Sequence, residues 1–439
     1  MVEWEREWAY EGGTSGAAVY NAGPMLENDS EAVTEEDSRM LLVVDTCRRE
    51  YEAYLEKLCG MGFRKVFENH TGAVDCCQLM KGEDLLYVYY TLRTGEVRVI
   101  ADKASVPLDE FSDSYMEEGP AAHMWGTMDS AEIYQYGLYY DPCNGHSPTT
   151  TNCGMFYIIR LRDNRLVMID GGHILQCSAE AVEGMYRFLR RITGTAEGER
   201  LRVAAWIFTH AHDDHMAACV RLLRTYPEAF EIERAMFNFP SHRVCSGHSD
   251  FFCLRAKLRE YCPNIKCLKL HSGQRIVLAN VCFDVLYTHE DAVRLEAPEV
   301  FPFHDFNCTS VILKMTTGMG TIVWLGDTST ETEELVVRTV PAAMWKADVV
   351  QVAHHAFNFL TELYALIDAD YAMVPNSRYG GNAGDNHQKL MDVVRRLPSP
   401  DNLWYEDETT GFRFEEGSFR VILKEDLVGG EHDGTALMG

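Results

Sequence analysis

The chain has 439 residues, 46% of them hydrophobic and 11% aromatic, which excludes wholesale disorder and leads us to expect two structural parts or one large α/β domain with additions. Lys and Arg number 40 against 67 Asp and Glu, a net charge of −27 that argues against a general binder of nucleic-acid phosphates or anionic membranes. The 14 cysteines form no CxxC pair, which argues against a zinc ribbon and a disulfide-dense scaffold.

The start, Met1 to Glu7, is acidic and lacks the basic and apolar regions of a signal peptide, and no apolar run approaches ~20 residues. A cytoplasmic protein without a membrane partner is expected. Residues 1–38 join an aromatic-acidic start, a Gly-rich run and the acidic stretch Glu27 to Asp37, and read as a flexible acidic tail. Residues 39–104 read as a small α+β module. Tyr51, Tyr54, Leu55 and Leu58 form a helical stripe ended by Gly60 and Gly62, followed by strands over Ala73 to Met80, Leu85 to Tyr90 and Glu96 to Ala101. With no cluster of His, Asp or Cys, this module is expected to be structural, oligomerising (a route to a homo-oligomer) or substrate-capping. Residues 105–134, rich in Asp, Glu, Gly and Pro, read as a linker.

From residue 135 to 425 strand-like and helical runs alternate. Strands are expected at Met155 to Leu161, Leu166 to Ile169, Leu201 to Phe208, Arg275 to Leu278, Val281 to Tyr287, Thr309 to Met315, Thr321 to Leu325, Val349 to Val352 and Tyr371 to Val374. Helices are expected at Ala179 to Ile192, Asp214 to Tyr226, Thr330 to Val340, Phe359 to Ile367 and Gln388 to Leu397. Residues 426–439 read as a C-terminal tail.

The segment Thr209-His210-Ala211-His212-Asp213-Asp214-His215 carries the chemistry. It has the form HxHxDH where an apolar strand passes into a helix. His210 and His212, two apart in extended chain, project to one side and can bind one ion. Asp214 and His215 begin the next turn and point at a second ion. Mixed nitrogen and oxygen donors with an open position describe a catalytic site better than a closed structural one.

This pattern resembles the signature of the metallo-β-lactamase superfamily, which implies an α/β fold, an αββα sandwich with a dinuclear metal site at the edge of its two sheets, here carrying a small N-terminal α+β domain. The resemblance implies further motifs. Leu166 to Gly172 ends in Asp170-Gly171-Gly172, where the family's Asp supports a ligand without binding metal. Thr321 to Thr328 contains Gly326-Asp327, the place of the bridging carboxylate. Asp348 to Ala356 ends in His354-His355, the place of the last ligand. Successive residues in extended chain face opposite ways, so one of the pair is expected in the site, and His354 is assigned as ligand. His355 is then a candidate for contacting the substrate or protonating the leaving group. With Asn307 to Ser310 and the run Asn382 to His387, the spacing resembles the ComEC-like, competence-protein-like branch.

Two departures stand out. Ala356-Phe357 replaces the branch's Gly-Ser, and the separate His of the first ion has no clear counterpart, with His271, His289 and His304 as candidates. His387 is a candidate ligand or phosphate-binding donor. The expected cofactors are two divalent ions, with zinc first and manganese or iron as alternatives. The implied nucleophile is a hydroxide held by the metal, whose parent water can have a pKa near ~7. Asp214 would orient it, and His355 or His387 would donate toward developing negative charge. The expected partner is a small-molecule substrate, first a phosphodiester or other phosphorylated compound, with a carboxylic ester, lactone or β-lactam as the alternative. The charge of −27 weighs against a DNA nuclease, and retention of the ligands weighs against a non-catalytic binding protein. A di-iron oxidoreductase would be expected to carry an appended redox domain, which the sequence lacks.

Overall fold

A computed structural model describes residues 8–13, 18–20, 38–102, 107–108, 113, 131–138, 154–173, 177–240, 258, 260–295, 306–358, 360–376, 397–406, 408–415 and 418–426. The chain is mixed α/β and builds three sheets. Among the described residues no helix is long and apolar enough to cross a membrane.

The first sheet is antiparallel, in the order Ala18–Tyr20, Ser38–Val43, Glu96–Asp102, Asp84–Thr91, Val74–Lys81, Arg64–His70. Period-two alternation divides its side chains. Leu86, Val88, Tyr90, Val97 and Val99 face the helix Arg48–Gly60, which buries Tyr51, Tyr54, Leu55 and Leu58 against them. Part of the segment expected as a tail docks here. Trp8 and Tyr10 are buried, Tyr54 Oη donates to Trp8 O at 2.7 Å, and Ala18–Tyr20 pairs with Ser38–Val43. Two aromatic side chains bury enough apolar area to hold this acidic start. The acidic stretch Glu27 to Asp37 lies outside the described residues. Arg64–His70, too polar to read as a strand, is an edge strand whose charges face solvent.

The opposite face, with Tyr87, Tyr89, Arg98 and Ile100, is covered by the C-terminal unit. Tyr87 Oη donates to Ser272 O at 3.0 Å, Tyr89 Oη to Asp291 Oδ1 at 3.0 Å, and Arg98 Nε to Glu290 O at 3.0 Å. Gly273, at φ +91°, lets the two backbones meet, since a Cβ there would lie 2.9 Å from Val74 Cγ1 and 3.0 Å from Cys76 Sγ. At the centre His271 Nε2 stands 2.8 Å from Asp102 Oδ2, and its Nδ1 2.9 Å from Glu290 Oε2. His271 and His289, considered above for the metal site, therefore lie in or beside this interface. Burial pushes the His271 imidazole down, but Glu290 and Asp102 outweigh it and hold its pKa at about 10 against an ordinary 6.5. Burial pushes Glu290 up, and His271 outweighs that and holds it at about 2 against 4.5. His289, pushed down to about 4 by burial, acts in the opposite sense and costs stability as pH falls below 6.5.

The sign follows by linkage. The stability from His271 is whole below pH 6.5 and is lost as pH rises through about 10, while that from Glu290 is whole above pH 4.5 and is lost as pH falls through about 2. His271→Leu strands two buried carboxylates and is expected to cost about 3–5 kcal/mol near neutral pH. Urea denaturation of both proteins should show that difference shrinking as pH approaches 10; a difference that grows with pH contradicts the ionic account.

The C-terminal unit has two facing sheets. One runs Lys266–Lys269, Arg234–Phe237, Leu201–Ile207, Leu166–Asp170, Phe156–Arg160, Glu132–Gln135, Glu408–Glu415, Ser418–Asp426, with Phe230–Ile232 also paired to Leu201–Ile207. Its first four strands are mutually parallel. The other runs Arg275–Leu278, Val281–Tyr287, Ile312–Thr317, Thr321–Trp324, Val349–Gln351, Tyr371–Val374, Leu403–Tyr405, its last four parallel. Val167, Ile169, Ala205 and Ile207 enter the core between the sheets. Their neighbours Leu166, Met168, Val203 and Trp206 face the helices Ala179–Thr193 and Ala217–Thr225. Helices Thr330–Thr339 and Thr361–Ile367 add Val336, Leu363 and Ile367 around the second sheet. The boundary expected at residue 135 moves earlier, because Glu132–Gln135 is a sheet strand. The expected linker is also anchored, with Asp113 paired to Arg165 and Arg234.

Candidate metal centre

The C-terminal ends of the parallel strands open on one edge of the unit, where such sheets bind ligands. Leu166–Asp170 ends in Asp170, Leu201–Ile207 leads to His210, Thr321–Trp324 to Asp327, and Val349–Gln351 to His354 and His355.

Asp170 is fully buried at φ +58°. Its Oδ1 accepts from Thr209 N at 2.8 Å, and its Oδ2 from Thr209 Oγ1 at 2.9 Å and stands 2.8 Å from His215 Nδ1. It lies behind His215 and turns the other ring nitrogen, Nε2, to the centre, the orienting arrangement that metal-ligating imidazoles need. Thr209 Oγ1 also lies 3.1 Å from His210 Nδ1, leaving His210 Nε2 facing inward, 3.0 Å from His212 Nδ1. The expected helix from Asp214 is replaced by a tight turn, Asp213–His215, with the helix beginning at Ala217. That turn aims Asp214 and His215 at one point.

Asp327 Oδ2 is where the centre converges. It lies 3.2 Å from His215 Nε2, 3.3 Å from His355 Nε2, 3.8 Å from His210 Nε2 and 3.9 Å from His354 Nε2. Asp214 Oδ2 is 3.1 Å from His355 Nε2. Asp214, His215, Asp327 and His355 form one group with donor atoms within 4.8 Å of each other, and His210, His212 and Asp327 form a second, so Asp327 is common to both.

The adjacent histidines meet the centre differently from the expectation that His354 is the ligand. His355 is buried inside the first of these groups, its Nδ1 held 2.9 Å from Pro375 O. His354 stands outside both groups, 23% exposed, its Nδ1 2.8 Å from Asn358 Nδ2 and its Nε2 3.2 Å from Asn307 Nδ2. The cause is backbone geometry. His354, His355 and Ala356 lie at φ +47°, +50° and +60°, a left-handed turn in which strand alternation does not apply. Such a conformation costs about 1–2 kcal/mol per residue, and His354 N→Gly326 O at 3.1 Å and Asn376 Nδ2→His355 O at 2.8 Å hold it. His304 and His387 lie outside the described residues. Gln351 and Ser310 support Asp327, a role that the sequence motifs do not point to; a lone amide in the apolar strand Val349-Val350-Gln351-Val352 is the signal that marks Gln351.

The donor set fits a divalent metal. Among the described residues His215 Nε2, His355 Nε2 and Asp327 Oδ1 are buried and aligned with no hydrogen-bond partner, a cost that a bound cation would remove. Burial pushes His215 and His355 down, but Asp327 and its neighbours outweigh it and hold both well above the ordinary imidazole range. Asp327 is correspondingly held well below the usual carboxylate range, against burial, by His215, His355 and His354. His210 is pushed well down by burial and by His215. A metal ion needs the neutral imidazole and the ionised carboxylate, so binding at these positions is expected to compete with protons.

Among solved structures the chain is similar to Tm1679, described as a metal-dependent hydrolase of the beta-lactamase superfamily, at 11% identity over 63% of this chain and 96% of that one, with a TM-score of 0.37. It is also similar to CmlA, a diiron beta-hydroxylase from Streptomyces venezuelae, at 9% identity over 76% of this chain and 74% of that one, with a TM-score of 0.34. No family model and no curated protein matches the sequence.

Proposed function

We propose that the chain is a metal-dependent hydrolase with two divalent ions, one held by His210, His212 and Asp327 and the other by Asp214, His215, His355 and Asp327. The observation that carries this reading is one buried carboxylate, Asp327, common to two groups of His and Asp donors, its Oδ2 lying 3.2 Å from His215, 3.3 Å from His355 and 3.8 Å from His210. Bound there, divalent ions supply Lewis acidity and a water whose pKa is near ~7. Zinc suits this mixture of imidazole and carboxylate donors, and iron or manganese are the alternatives.

The chain's own residues do the positioning. His355 Nδ1 donates to Pro375 O and His215 Nδ1 to Asp170, so each presents Nε2. Asp214, buried less deeply than Asp327, is placed to orient the nucleophile. His354, tethered through Nδ1 to Asn358, takes the role first considered for His355 and donates toward a substrate oxygen. Phe306 lies 6.2 Å from the His212 ring and Phe357 5.6 Å from that of His354, so aromatic rings border the centre.

A phosphodiester or other phosphorylated small molecule is the proposed substrate. The motif resemblance supports it, and the net charge of −27 favours a small compound over polymeric DNA. The test is a chromogenic panel on metal-replete protein: bis(p-nitrophenyl) phosphate, p-nitrophenyl phosphate, p-nitrophenyl acetate, a lactone and a β-lactam. Turnover of the phosphodiester is expected. Turnover of carbonyl compounds alone reassigns the substrate class, and metal-replete protein inactive on all five contradicts the hydrolase reading.

A further inference from the structure

We propose that Gln351 is a positioning residue that sets Asp327 against His355 and so governs the affinity of the metal centre; this rests on the metal reading above. Gln351 is buried at the end of Val349–Gln351, between the strand that delivers Asp327 and the one ending beside Pro375. Its Oε1 accepts from Leu325 N at 2.8 Å and from Gly326 N at 2.7 Å. Its Nε2 donates to Gly326 O at 3.1 Å and to Val352 O at 2.6 Å. All the hydrogen-bonding capacity of one amide is therefore used on backbone, two acceptor sites and two donors. Three of the four bonds grip the two residues before Asp327, and the fourth grips the segment two residues before His354.

The gripped turn has little freedom otherwise. Gly326 sits at φ +56°, and a Cβ on it would lie 2.9 Å from Thr209 Cβ and 3.1 Å from Ser310 Cβ. Asp327 N donates to Ser310 Oγ at 3.0 Å, and Gly326 O also accepts from His354 N at 3.1 Å. One side chain thus joins the turn bearing the shared carboxylate to the left-handed turn bearing His354 and His355. Its loss lets the distance between Asp327 Oδ2 and His355 Nε2, now 3.3 Å, vary independently of the sheet.

Gln351→Glu keeps the side-chain shape and the acceptors while replacing the two donors with an oxygen facing Gly326 O and Val352 O; its added negative charge alone would strengthen cation binding, so a weakening reads the lost donors. Cobalt(II) titration of the apo full-length chain, followed by visible absorption, reads the centre without any substrate. Gln351→Glu is expected to weaken cobalt binding by about 10–100-fold, the usual effect of losing a group that supports metal ligands, and to alter the ligand-field bands. Ser310→Ala, which removes one bond to the same turn, should shift affinity in the same direction by less, and it serves as the test if Gln351→Glu does not fold. A lowered apo melting temperature with unchanged cobalt affinity and bands would make Gln351 merely structural and overturn the proposal. Wild-type protein that binds no cobalt overturns the metal reading and this proposal together.

Discussion

Asp327→Asn is expected to abolish the proposed two-ion centre while leaving the fold intact. The substitution is isosteric, and Asp327 is the largest of the charges that raise His215 and His355 against burial, so removing it favours their neutral form and strands no buried cation. Asp327 belongs to both donor groups, however, and an amide oxygen is a weaker donor that cannot supply a negative oxygen to each of two dications. Loss of a supporting residue alone costs about 10–100-fold in metal affinity; loss of the shared ligand should cost at least about 100-fold for both ions and reduce any hydrolytic activity below about 1%. Isothermal titration with zinc and a far-ultraviolet circular dichroism spectrum check the two halves of this expectation. Wild-type affinity in a folded Asp327→Asn protein would remove Asp327 from the centre.

The second large effect separates the adjacent histidines. His355→Ala removes a nitrogen lying 3.1 Å from Asp214 and 3.3 Å from Asp327, and is expected to lower the metal content from two ions to about one per chain. His354→Ala removes a ring 3.9 Å from Asp327 and outside both groups, so both ions should remain while kcat falls by about 10²–10⁴-fold, the range for a lost proton donor. Elemental analysis of the two variants, beside steady-state rates on whichever compound of the panel turns over, reads the contrast. The opposite pattern, with His354→Ala losing an ion and His355→Ala keeping both, would restore the assignment expected from strand alternation.

That contrast also shows where sequence reading stops. The HxHxDH segment and Gly326-Asp327 are legible because their donors depend on local chain geometry, a strand passing into a turn. The order of His354 and His355 is not legible, because it depends on a left-handed turn held by Gly326 O and Asn376, contacts made across the sheet. His271 and His289 share the residue type of a ligand, yet the N-terminal sheet claims their surroundings through Asp102 and Arg98, over 100 residues away in sequence. At the level of elements, apolar runs such as Leu201–Ile207 and Thr321–Trp324 read directly as strands. Arg64–His70 does not, because this edge strand carries charge outward and its alternation is broken, and Lys266–Lys269 does not, because it is a four-residue edge strand bounded by two lysines, one of them buried. The expectation of a small N-terminal α+β module does not register that its sheet has two apolar faces, one for its own helix and one for the C-terminal unit.

The central claim is that two divalent ions share Asp327. Equilibrium dialysis of apo protein against zinc, followed by elemental analysis, measures it directly. Close to two ions per chain are expected in the wild-type protein and neither in Asp327→Asn; fewer than one ion per chain in folded wild-type protein at saturating zinc would overturn the shared centre.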